Sequence, residues 1–380
     1  MVKFIIVALL FIPAVVIAQQ PVTFRSADSI TYQCYLKGEW EKLISTGQQA
    51  IAQNIDYKRL RQRIGYAWFA RGDYYAAQSQ YEKALAFDEC DPDIREYLYY
   101  CALKTGNQVN ARFIAKDLTP DLKKILGIET FKPVESIDLE YNYKSNNSLT
   151  RSNPTYLRTG VNTQLGYRLQ LYQSVSNYQQ TIDSALTKQP EYYALLSYSF
   201  PSKISIDVAY HYLNTRVGNY KIPGNMIFAG ISKGINRLNL GINGSVLNNS
   251  TGNTTQIGLQ AKVTLPGKSG IYFQSSLCGI NEPDGSGTIL AQSAGLRVTK
   301  NLWAEGNITL GYLKNYNDFR ALYVYNSVDP TTFRTGLSLF WYLGKPISLF
   351  GNYTFDQKQI TSNLNIYNQQ SFSGGIIWKL

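Results

Sequence analysis

From Val134 onward the chain alternates with a period of two. Ile137, Leu139, Tyr141 and Tyr143 share one face of an extended segment, and Asp138, Glu140 and Asn142 share the other. The pattern returns three more times. Leu238, Leu240, Ile242 and Val246 oppose Asn239, Asn243 and Ser245; Ile257, Leu259, Ala261, Val263 and Leu265 oppose Gln260, Lys262 and Thr264; Ile347, Leu349, Tyr353 and Phe355 oppose Ser348, Asn352 and Thr354. One apolar and one polar face per strand is the pattern of a barrel with lipid outside and water inside. Connections between these segments alternate too. Short ones are expected at 168–170, 201–203, 234–237, 266–269, 300–301 and 344–346, and longer polar ones at 145–156, 180–190, 214–224, 247–255, 281–288, 314–331 and 357–369. Thirteen connections imply an antiparallel barrel of about fourteen strands over 134–380. The rival, a soluble β-sandwich, would leave about ten aromatic side chains facing water. The last strand places Phe372, Ile376, Trp378 and Leu380 on one face, similar to the C-terminal strand that barrel-insertion machinery reads.

Ahead of the barrel the period is different. Gly38, Gly72 and Gly106 are spaced by 34 residues, and so are Tyr32, Tyr66 and Tyr100. In the middle copy, Ile64-Gly65, Trp68, Gly72-Asp73-Tyr74, Ala77, Tyr81 and Ala84-Leu85 follow one pattern. A glycine ends a first helix, small residues bring two helices together, and Trp68 and Tyr81 fill the space between them. Residues 24–125 thus resemble a tetratricopeptide repeat domain of three helix pairs, with a short linker near 127–132. The outer copies diverge: Thr31 and Tyr99 stand where Gly65 does, and Gly47 where Tyr81 does. In such a repeat the first helices line a groove. Tyr32, Tyr66 and Tyr100 would stack there beside Tyr35, Phe69 and Leu103, with Lys58, Arg59, Arg61 and Arg63 nearby. These rings fit either a partner segment or sugar, or a neighbouring element such as the barrel mouth.

The first 18 residues read as a cleaved secretory signal: Lys3, an apolar run from Phe4 to Ile17, then Val16 and Ala18 before the cut. The run is about 14 residues, too short to span a bilayer as a helix. Export changes the meaning of the +11 net charge, which would otherwise suggest nucleic acid. The expected partners are instead outer-membrane lipid and lipopolysaccharide phosphates, a polysaccharide, and a periplasmic protein on the repeats. Thirty tyrosines and two methionines suit strands with one wet and one lipid-facing side. Cys34, Cys90, Cys101 and Cys278 fit no metal spacing and are expected as buried free thiols, with Cys90 and Cys101 near opposite ends of one helix.

Catalytic residues, cofactors and metal ligands are not expected. The single histidine, His211, lies four residues from Asp207 on one strand, and both alternate inward, away from the lipid side where a barrel lipase would work. The expected pore lining is Arg158, Arg168, Tyr193, Asp207, His211, Lys262, Tyr272, Arg297, Trp303, Glu305, Arg334 and Tyr342, together with Asp138, Glu140, Phe340 and Phe350. Charged pairs there either brace a wall or meet a cargo. Inward rings either fill space or stack on sugar faces.

As architecture, a signal, tetratricopeptide repeats and a C-terminal barrel together resemble the YaiO-type outer-membrane barrel proteins. More distantly they resemble the repeat-plus-barrel exporters of exopolysaccharide, which carry many more repeats. The class is thus multidomain α + β. The resemblance implies an outer-membrane conduit for polysaccharide, with periplasmic repeats docking synthesis or trafficking machinery. Two other readings are a plugged outer-membrane anchor whose repeats recruit a periplasmic protein, and a lipid-acting barrel enzyme.

Overall fold

The computed structural model describes residues 22–128, 132–250, 252–318, 320–326, 328–344, 346–361 and 364–380. The signal segment at 1–18 and the middle of the linker lie outside the described residues.

Helices come first: α1 (Phe24–Lys37), α2 (Trp40–Ala52), α3 (Lys58–Ala70), α4 (Tyr74–Leu85), α5 (Pro92–Lys104), α6 (Gln108–Lys116) and the short α7 (Pro120–Ile125). The first six form three pairs. Gly38, Gly72 and Gly106 each take a positive φ (71°, 82° and 76°) where the first helix of a pair ends, a conformation that costs glycine nothing. The residue after two of these glycines caps the next helix. Asp73 accepts from the Ala76 N–H at 3.1 Å, and Asn107 from the Asn110 N–H at 3.0 Å. Leu43, Ile44, Leu60, Ile64 and Ala67 form one buried core, and Ala77, Tyr81, Ala84, Ile94, Leu98 and Cys101 the next. A Cβ on Gly65 would lie 3.0 Å from the Tyr81 ring, so this glycine sets the closeness of α3 and α4.

The strands follow as β1 (Val134–Asn146), β2 (Thr155–Gln164), β3 (Leu169–Ile182), β4 (Ala185–Ser199), β5 (Ile204–Val217), β6 (Tyr220–Ile235), β7 (Leu238–Asn249) and β8 (Gly252–Thr264). Next are β9 (Tyr272–Glu282), β10 (Gly285–Arg297), β11 (Leu302–Leu313), β12 (Tyr316–Asp318), β13 (Tyr323–Tyr325), β14 (Thr331–Tyr342), β15 (Ile347–Gln359) and β16 (Ile366–Lys379). All but β12 and β13 join one closed antiparallel barrel of fourteen strands, sealed by β1 against β16 from Ser136↔Lys379 to Asn146↔Gln369. Ile137, Leu139, Val208, Ile227, Ile242, Leu259, Trp341, Phe372 and Trp378 are exposed on its outer wall, while their sequence neighbours turn inward. A closed sheet with an apolar exterior and a polar interior satisfies every ladder hydrogen bond within lipid, so this is a barrel of the outer-membrane type and not a sandwich.

Two expectations need correction. The segments 180–190, 214–224, 247–255 and 281–288 are not long loops. Pairing runs unbroken to Ile182↔Ala185, Val217↔Tyr220, Asn249↔Gly252 and Glu282↔Gly285, so these hairpins stand tall with tight turns. Above the lipid both faces of a strand are wet, so no apolar alternation marks it in the sequence. Conversely, 314–331 contains the β12–β13 hairpin, with Tyr316↔Tyr325 and Asp318↔Tyr323 in register.

Candidate functional site

The β12–β13 hairpin folds into the barrel, and its seat is partly apolar. Ala321, Leu322 and Val324 pack on Leu213, Met226, Phe228 and Leu247. Tyr316 and Tyr325 pack on Cys278, Ile280, Ile289 and Leu313. Polar contacts reach the rest of the wall. Asn317 donates to Ser245 Oγ at 2.6 Å and Gln256 Oε1 at 2.8 Å. The Tyr323 hydroxyl donates to Glu140 at 2.8 Å, and Arg320 to Asp207 at 3.1 Å. At the hairpin's exit, Asp329 accepts from Arg151 at 2.8 Å and from the Tyr367 hydroxyl at 3.0 Å. Burying a large apolar side chain contributes about 1.5–3 kcal/mol, so several together make this roof a fixed part of the resting fold. At its level Tyr193, Leu213, Met226, Leu247, Ile289, Asp356 and Ser371 are at most 2% exposed, which means the upper lumen is filled.

The lower lumen is a cup. Lys262 Nζ sits 3.8 Å from the centre of the Tyr272 ring, which stacks at 5.9 Å on Trp303 and donates its hydroxyl to Glu305. Trp303 is opposite Phe340 in the ladder, and Phe340 opposite Phe350. A Cβ at Gly295 or Gly375 would collide with the Tyr272 or Phe350 ring, so these glycines let the rings lie against the wall. Trp303, Phe340 and Phe350 remain half-buried, with ring surface open to the cup.

The cup opens at the short-turn end, where the helical domain is docked. Asp73 is ion-paired with Arg237 of the β6–β7 turn, and Arg112 with Glu135 at the start of β1. Glu82 meets Lys203 of the β4–β5 turn at 3.2 Å. Arg168 of the β2–β3 turn lies 3.6 Å over the Phe113 ring, and Gly72 abuts Lys268 of the β8–β9 turn.

Of the expected lumen residues, Arg158, Tyr193, Asp207, His211 and Arg334 belong to the filled upper and middle layers. Arg158 bridges Asp138 at 2.6 Å and Glu140 at 2.9 Å and contacts the Tyr172 hydroxyl. Tyr193 donates to the Arg320 carbonyl at 2.8 Å, and His211 Nδ1 donates to the Ala321 carbonyl at 2.7 Å, with Glu191 at 3.3 Å from Nε2. Arg334 lies over Tyr325 and 3.5 Å from Asp356. Lys262, Tyr272, Trp303 and Glu305 line the cup, and Arg297 is half-buried at its lower edge, close enough to act on Tyr74 of α4. Arg168 is corrected, because it sits in a turn and turns to α6; Tyr342 lies opposite the buried Ser348 at the rim and is 45% exposed. Arg168 lies between β2 and β3, where alternation no longer decides direction.

In the helical domain the expected Tyr32, Tyr66, Tyr100 ladder is replaced by another aromatic chain. Tyr66 meets Tyr35 at 5.1 Å, Trp40 at 5.5 Å and Tyr97 at 5.6 Å, and Phe69 meets Tyr97 at 5.4 Å and Tyr100 at 6.4 Å. Tyr97 is the hub, stacked on Tyr81 at 5.1 Å, and the 34-residue spacing hides it because its counterpart is Arg63. Tyr32 is 49% exposed under the Arg63 guanidinium, and Arg59 is exposed. Cys34, Cys101 and Cys278 are buried free thiols, whereas Cys90 is exposed in the turn before α5, not on the helix. The hairpin residues Asn317, Arg320, Tyr323 and Asp329 were not expected at the site. A polar, tyrosine-rich loop carries no periodic signal of insertion.

No known protein family and no curated protein matches the chain. Among solved structures, a bacterial polysaccharide outer membrane secretin is 11% identical over 66% of this chain and 100% of its own, with a TM-score of 0.44. The CymD monoaromatic hydrocarbon channel is 8% identical over 66% of this chain and 89% of its own (TM-score 0.43). The Acinetobacter baumannii outer membrane protein Omp33 is 8% identical over 65% and 99% (TM-score 0.39). The overlap is one of gross barrel shape and identifies no residue, ligand or activity. The chain's own geometry defines it as a fourteen-stranded outer-membrane-type barrel preceded by a helical domain.

Proposed function

We propose that this protein is a gated outer-membrane conduit for an extracellular polysaccharide, with its helices in the periplasm as tetratricopeptide repeats of the YaiO type. The observation that carries the reading is the cup. Its wall presents the half-buried rings of Trp303, Phe340 and Phe350 beside the Lys262, Tyr272 and Glu305 group. Flat rings stack on the apolar faces of sugars, and nearby charged groups bind hydroxyls. Short turns face the periplasm in outer-membrane barrels, and the helices dock on that end. Export then requires the β12–β13 roof to leave the upper lumen. The conduit is tested by deleting the gene and measuring glycan in medium and periplasm. Glycan lost outside and trapped inside supports export; unchanged glycan in both overturns it.

The packed roof favours a second reading, a closed anchor whose repeats recruit a periplasmic protein. In that case glycan is unaffected, and a pull-down with the full chain recovers a partner that is lost when Tyr66 and Tyr100 are replaced.

A further inference from the structure

Three cations stand side by side on the outer wall. In the ladder Lys188 of β4 is directly opposite Arg216 of β5, and Arg216 directly opposite Lys221 of β6. All three are exposed. They point outward, because the alternating neighbours Thr187, Gln189 and Thr215 turn to the lumen, where Thr215 donates to Gln189 at 2.6 Å. Gln179 of β3 extends the row opposite Lys188. Among the described residues none of the three cations has a carboxylate partner. Like charges directly opposite on neighbouring strands destabilise a sheet, so the row works against the fold in the absence of a counter-charge.

The height of the row says where that counter-charge lies. Four residues below it on the same face are Tyr192 and Tyr212, opposite one another, with Asn225 beside them. Beneath these come Tyr210, Val208, Leu196 and Ile227, all exposed to the lipid side. Tyrosines at the edge of the apolar band mark the lipid–water boundary. Four residues on a tilted strand rise roughly 10 Å, which places the cations at headgroup level in the leaflet on the long-loop side.

We infer that Lys188, Arg216 and Lys221 form a binding site for the phosphate groups of a phosphorylated lipid in the outer leaflet. The guanidinium of Arg216 takes a phosphate in bidentate fashion and the two lysines flank it as point charges. The lipid neutralises the row and braces the β3–β4 and β5–β6 hairpins, whose turns lie just beyond it. The inference is independent of what passes through the barrel.

The test uses the full chain in uncharged detergent, titrated with a bisphosphorylated glucosamine-based lipid, the same lipid without phosphates, and inorganic phosphate. Binding is read by native mass spectrometry and by the thermal unfolding midpoint. Wild type should bind only the phosphorylated lipid. Each charge removed should weaken binding roughly fivefold, so Lys188→Gln with Arg216→Gln and Lys221→Gln should weaken it about a hundredfold. In detergent without that lipid the triple variant should unfold no earlier than wild type, because repulsion is gone; with the lipid the order should reverse. Lys300→Gln, at the other end of the barrel, should change nothing. Arg216→Gln alone serves if the triple variant does not fold. Equal affinity of variant and wild type, or equal binding of the dephosphorylated lipid, overturns the inference. Inorganic phosphate bound as tightly as the lipid overturns the assignment to a lipid.

Discussion

Asp73 holds two partners at once: its carboxylate caps α4 through the Ala76 N–H and pairs with Arg237 in a barrel turn. The side chain that starts a helix therefore also fixes that helix to the barrel. Its two roles are separable by substitution. Asp73→Asn keeps the cap and loses the charge, so it should release the helical domain to protease while leaving helix melting nearly unchanged. Asp73→Ala should do both, costing about 1 kcal/mol of helix stability in addition. Limited proteolysis and circular dichroism melting of the two variants check this; identical behaviour of the two would refute the division.

Arg158 pairs with two buried carboxylates that share the wall, Asp138 and Glu140, which are 9% and 5% exposed. Arg158→Met should leave them with only the Tyr172 and Tyr323 hydroxyls in place of their ion pairs and destabilise the barrel by about 3–5 kcal/mol. Adding Asp138→Asn and Glu140→Gln should recover most of that loss. Urea unfolding followed by heat-modified gel mobility measures both.

The roof predicts electrical silence. In planar bilayers the wild-type protein should conduct little, and replacing 316–325 by a short glycine-serine linker should give stable open channels. Arg320→Ala, which removes the half-exposed tie to Asp207, should give brief openings. If excision leaves conductance unchanged, the hairpin is not what closes the lumen.

The helical domain should weaken in acid. Burial alone would raise the Asp28 carboxyl, but the Tyr57 hydroxyl and the Arg63 guanidinium outweigh it and hold it below its ordinary value of 3.8. Because the folded value is the lower one, the stabilisation is present above pH ~4 and lost as the pH falls below it. Asp28→Asn should remove this part of the acid sensitivity. The carboxylate is partly exposed, so the effect should be small. Thermal melts of wild type and variant between pH 3 and 7 report it.

The alternation of Ile206, Val208 and Tyr210 against Asp207 and His211 made the wall of the barrel readable, because lipid on one side and side chains on the other impose opposite chemistry on neighbouring residues. The 34-residue recurrence of Gly38, Gly72 and Gly106 made the helix pairs readable for a similar reason: one backbone conformation is needed at each turn. What stayed hidden has no such two-sided environment. Glu191, beside His211, follows directly on 180–190, a stretch that reads as polar loop, and only its pairing with Leu213 sets it in the wall. Arg320 and Tyr323 act through contacts with residues more than a hundred positions away, which no local pattern encodes.

The docking of the helices on the barrel bears on assembly as well as on shape. Their contacts fall on the start of β1 and on four separate turns. All of these points lie on the consecutive run β1–β9, on one side of the seam where β1 meets β16. A sheet paired only as far as β9 already carries that seat, so the helices can hold the first half of the wall in place while the later strands add and the seam closes.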